Sequence, residues 1–72
     1  MLKENECYII QVDGQYLIGK PYADSILIRY SHSPWDGCRT RNFGIAIRVA
    51  QRLGGMVMKF NLLNGRTEGG WK

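Results

Sequence analysis

The sequence predicts a small α+β domain: an antiparallel or mixed β-sheet in the order β-β-β-α-β, with one helix packed on one face. Three observations predict it. Two β-forming runs, CYIIQV at 7–12 and QYLI at 15–18, flank Asp13-Gly14, which suits a type I′ hairpin turn because both central positions need positive φ. One segment alone, 42–53, has a helical period, and it stops at Gly54-Gly55. A further β-forming run, MVMKFNLL at 56–63, follows at once. At 72 residues the chain makes one domain, 1–72, and buries only about 60% of the surface its unfolded form exposes.

Residues 1–6 are polar and are expected to fray. In the first strand Tyr8, Ile10 and Val12 share one face; in the second, Tyr16 and Ile18 do. Gly19-Lys20-Pro21 ends the hairpin, because proline cannot donate to a ladder. SILIRY at 25–30 reads as a third strand, apolar enough to be central or well covered. SHSPWDGCR at 31–39 is a loop by composition and sets Trp35 and His32 ahead of the helix.

In the helix, Phe43, Ala46, Ile47, Val49, Ala50 and Leu53 fall on one broad face. Thr40 or Asn42 supplies an N-cap oxygen. Gly54-Gly55 closes the other end with a left-handed cap. In the last strand Met56, Met58 and Phe60 alternate with Val57 and Lys59, giving one apolar and one mixed face. Asn64-Gly65 is a hairpin-type turn, and the glycine-rich tail, 66–72, is expected to fray or to pair briefly with Trp71 as anchor. The sheet face away from the helix is expected to be wet or to form a homodimer interface.

Charge narrows the function. Residues 1–36 carry three Lys or Arg against five Asp or Glu, a net of −2; residues 37–72 carry seven against one, a net of +6. Such asymmetry points to an acidic or polyanionic partner. Arg41, Arg48 and Arg52 are spaced to project from the side of the helix opposite its apolar face, with Arg39 and Lys59 flanking and Trp35 placed to stack. A solvated basic surface with no partner produces the same pattern.

Signatures of chemistry are missing. His32 neighbours Ser31, Ser33, Asp36 and Cys38, but neighbours on one loop rarely meet the apposition that nucleophilic catalysis requires. Cys7, Cys38 and the single histidine fall one ligand short of a zinc site, so the cysteines read as packing residues. Neither a phosphate-binding glycine loop nor an apolar run of membrane-spanning length occurs. The reading is a non-enzymatic, soluble protein with no catalytic residues, cofactor or metal. Its alternatives are a small basic nucleic-acid-binding module and a structural or oligomer-forming protein.

YIIQVDGQYLIG, then an apolar strand, a Trp-bearing loop and CRTRNFGIAIRVAQRLGGMVMKFN, resembles small uncharacterised proteins encoded by bacteriophages and prophages of Gram-positive bacteria. The likeness covers most of the chain and rests on Thr40-Arg41, Ala46, Ala50, Leu53-Gly54-Gly55 and Val57. It implies an accessory protein in the cytoplasm of a bacterial host, acting on a host protein or nucleoprotein complex. Inhibitors of host defence, such as anti-CRISPR proteins, are of this kind. Many of those are acidic mimics of DNA; the basic helix here departs from that and points to an acidic patch, or to a guide or target strand.

Overall fold

A computed structural model of the chain describes residues 2–18 and 28–72. It has β1 (Glu6–Val12), β2 (Gln15–Ile18), β3 (Arg29–Ser31), a 3₁₀ turn at Pro34–Asp36, α1 (Phe43–Leu53), β4 (Met56–Asn61) and β5 (Thr67–Trp71). The strands form one antiparallel sheet in the order β3-β2-β1-β4-β5. The α+β class is as expected, and of the two outcomes expected for the tail the structure takes the second, pairing it with β4 as a fifth strand.

β1 is the third of the five strands, held between β2 and β4. Asp13 at φ 50° and Gly14 at φ 78° turn it back into β2, and β4 pairs along it from Glu6–Asn61 to Gln11–Met56. β3, placed from sequence as central or well covered, lies at the sheet edge, with Ile28 47% and Tyr30 36% exposed. The reason is topological: a hairpin partner of β2 can only add outside it once β1 holds the inner side. The beginning of that predicted strand, and the break at Gly19-Lys20-Pro21, lie outside the described residues.

The helix starts at Asn42, whose side-chain oxygen accepts from the Ile45 amide at 3.1 Å. Thr40, the other cap candidate, instead accepts from the Asn42 amide at 3.1 Å. Gly54, at φ 70°, ends α1. Ala46, Val49 and Ala50 are buried on Ile10, Leu17 and Val57. Alanines four apart let the helix lie close to the sheet.

The opposite face is neither wet nor open at its centre. Cys7, Ile9 and Phe60 form a second buried cluster there, with Tyr16, Met58 and Leu62 against it. The loop holding the 3₁₀ turn covers it. Trp35 meets Phe60 edge-to-face at 4.9 Å, and a Cβ at Gly37 would sit 3.2 Å from the Ile9 side chain. The largest wholly buried side chains among the described residues are Ile10, Leu17 and Val57 under the helix and Ile9 and Phe60 under the loop. Each is worth about 1.5–3 kcal/mol, so both layers hold the fold.

Loop and helix cover opposite faces, so the chain between them must cross the sheet. It does so at Cys38–Thr40, in the gap where β1 and β2 diverge. The Cys38 amide donates to the Leu17 carbonyl at 2.7 Å, and Tyr8 and Thr40 exchange bonds of 2.7 and 3.1 Å.

A bulge sets the far edge. Lys59 pairs with Glu68, but Val57 pairs with Trp71 rather than Gly70. The extra residue, accommodated at Gly69 and Gly70 with φ 89° and 140°, turns Trp71 onto the helix side. There it meets Tyr8 and Phe43, ring centroids 6.3 and 5.8 Å away, both edge-on.

Candidate binding surface

The six residues singled out from sequence fall into four places. Arg48 and Arg52 lie on the outer side of α1, exposed, away from Ala46, Val49 and Ala50. Neither forms an ion pair or side-chain hydrogen bond among the described residues. Ile45, 39% exposed, lies beside them, three residues before Arg48.

Arg41 does not join them. It precedes the cap, and Arg52 stands ten residues beyond Asn42, about 15 Å along the helix. The Arg41 guanidinium instead donates to the carbonyls of Lys3, Glu4 and Glu6 at 3.3, 3.2 and 2.9 Å. With the Asn5 amide on the Asn61 side chain at 3.0 Å and the Leu62 amide on the Asn5 carbonyl at 2.8 Å, it ties down a segment expected to fray. A cap one residue later than Arg41 separates it from the helical period that groups Arg48 and Arg52.

Lys59 is internal to the fold. It sits between Glu6 at 3.7 Å and Glu68 at 3.3 Å. A hydrogen bond to Glu68 is the main cause holding its ammonium above the usual range, with Glu6 adding attraction. Glu6 is 4% exposed, and one oxygen accepts from the Lys3 amide at 2.8 Å. That bond, more than the nearby Lys59 charge, holds its carboxyl below the usual range against the cost of burial.

Trp35 and Arg39 are together on the opposite face. Arg39 donates to the Trp35 carbonyl at 3.2 Å, and the ring, 47% exposed, lies against Gly65. A Cβ there would come within 3.0 Å of the indole. Sequence reading missed Arg66, which stands next to that glycine and is exposed. The signal was present in Asn64-Gly65-Arg66, but the contact with Trp35 is thirty residues away in sequence and no local pattern reports it.

The four tyrosines do not make one face. Tyr8 packs on the helix side, Tyr16 against the opposite cluster and Tyr30 at the edge; Tyr22 lies outside the described residues. Around His32, the Ser31 hydroxyl donates to Asp36 at 2.7 Å and accepts from the Ser33 amide at 3.1 Å. That network closes the loop on itself and leaves the imidazole outside it. Cys7 is buried and Cys38 half-buried, and no disulfide joins them. Cys7 borders a shallow pocket of about 350 Å³ with Glu4, Glu6, Arg39 and Arg41. Burial pushes its thiol up, against the pull of Arg39 and Arg41, so the sulfur stays protonated near neutrality and is a poor nucleophile. Among the described residues no cluster of three His, Cys, Asp or Glu could hold a metal ion, and no helix is long and apolar enough to cross a membrane.

No protein-family model matches the chain, and no curated protein and no solved structure matches it.

Proposed function

We propose that this chain is a non-enzymatic binding protein that docks the outer side of α1 onto an acidic surface. The partner is a host protein or nucleoprotein complex in the bacterial cytoplasm, and the effect is modulation of host defence of the anti-CRISPR kind. One observation carries the reading. Arg48 and Arg52 stand exposed with no acidic partner among the described residues, while Glu6 and Glu68 are held by Lys59 and Asp36 by Ser31.

Two arginines around an exposed isoleucine suit an interface, since arginine reads carboxylates bidentately and apolar contact excludes water. The phage resemblance supports the accessory role and the host compartment.

The test is affinity capture from a bacterial lysate with the wild-type protein and with Arg48→Glu plus Arg52→Glu as baits. A partner held by the wild type, released by salt and lost by the double variant is the expected result. Identical capture by both removes the helix as the contact. A gel shift abolished by the same pair would replace the acidic protein with nucleic acid on that face.

A further inference from the structure

We propose that the face opposite the helix is a second site, which binds single-stranded nucleic acid with Trp35 as the platform for one base. The site does not depend on the helix-face reading, since no residue is shared.

Trp35 packs on Phe60 and still leaves 47% of its surface in solvent, open to a ligand. The ring is nevertheless fixed from two sides. Phe60 meets it at 4.9 Å and 83°, and Gly65 brings backbone against it, where any side chain would displace it. An aromatic surface held rigid and left open binds a flat ligand with little loss of conformational freedom.

The charges around it are positive. Arg39 is hydrogen-bonded to the Trp35 carbonyl itself, and Arg66 follows the glycine under the ring. Neither guanidinium is in an ion pair among the described residues. Arg29 is exposed at the β3 edge, and by its register with Ile18 it belongs to the same face of the sheet. Of the carboxylates nearby among the described residues, Asp36 already accepts from Ser31, and Glu6, which lines a pocket with Glu4 and Arg39, accepts from the Lys3 amide. Open ring and cations together match a ligand that alternates flat apolar rings with phosphates. A duplex hides its base faces, so the fitting form is a single strand. An acidic peptide without aromatic side chains would satisfy the arginines but offers the indole no stacking partner.

The experiment is photocrosslinking of the wild-type protein to a short oligonucleotide carrying 5-bromodeoxyuridine, mapped by trypsin and mass spectrometry. Trp35 falls in the tryptic peptide 30–39 and Trp71 in the peptide 67–72, so the two indoles are read apart. The expected adduct is on Trp35, competed by unlabelled oligo-dT and not by duplex of equal length. In gel shifts Trp35→Ala weakens binding roughly tenfold, Trp35→Phe less, and Arg39→Gln with Arg66→Gln flattens the salt dependence. An adduct confined to 67–72, or none at low salt, overturns the proposal. So does heparin or a non-aromatic acidic peptide competing as well as the oligonucleotide, because that is charge attraction without stacking. The crosslink is read on unaltered protein, so it decides the matter even where a Trp35 variant fails to fold.

Discussion

At the scale of single residues, what matters is which polar groups are already engaged. Glu6 shows this. Its carboxyl titrates below the ordinary glutamate range because the folded chain supplies an amide donor and a nearby ammonium. A lowered carboxyl stabilises the fold above its unfolded value, about 4.3, and that contribution vanishes as pH falls through the folded value. Glu6→Gln is therefore expected to lower the melting temperature at pH 7 and to flatten its decline as pH falls below about 5. Melting curves of equal shape for both proteins would contradict this. Lys59 works in the opposite sense: its raised ammonium contributes below the ordinary lysine range and is lost as pH climbs through the folded value. Sequence shows that both residues are charged. Their mutual engagement needs the Tyr8–Lys59 and Lys59–Glu68 pairings, which no local pattern encodes.

At the scale of elements, adjacent residues of one type can have different tasks. Gly54 and Gly55 both read from sequence as a helix stop, and both amides close the helix, Gly55 on the Ala50 carbonyl at 2.8 Å, but only Gly54 takes the left-handed turn. Gly54 takes φ 70° with nothing near its missing Cβ. A Cβ at Gly55 would fall 2.4 Å from the Gln11 carbonyl oxygen and 2.6 Å from Val12, so this glycine lets the α1–β4 turn lie on β1. Gly54→Ala should cost about 1–2 kcal/mol from backbone strain alone. Gly55→Ala should cost up to about 3 kcal/mol, because the carbonyl opposite cannot yield without breaking the ladder. Urea denaturation of the two variants tests the order, and a smaller loss at Gly55 would reverse the assignment. Helix, hairpin and β4 were legible because 3.6-residue and two-residue periods and Asp-Gly are local signals. β5 was obscured by Gly69-Gly70, where an irregular backbone serves to aim Trp71. Of the candidate surface, Arg48 and Arg52 were legible through the helical period, whereas Arg41 sits outside the helix by one cap residue.

At the scale of the whole molecule, one sheet separates two apolar layers, and two basic surfaces look away from each other. The arginines of α1 lie over one layer and Trp35 with Arg39 over the other. One ligand surface built from all six sequence candidates is therefore excluded by the sheet between them. The layers are joined by Cys38–Thr40, which bonds to β2 on one side and β1 on the other. The amides of Tyr8, Cys38 and Thr40 are expected to exchange with deuterium at the pace of Ile10 and Met58 in the central ladder. Exchange as fast as that of Asp36 and Gly37 in the covering loop would show the crossing to be loose. A thread passing through a wall and anchored by a knot on each side cannot be drawn out from either side alone. Lifting the loop would strain the bonds of the crossing to Leu17 and Tyr8, so a partner gripping one surface is expected to change how readily the other opens. Two ligands on opposite sides of so thin a body would then sense each other through its rigidity, with no need for a change of shape.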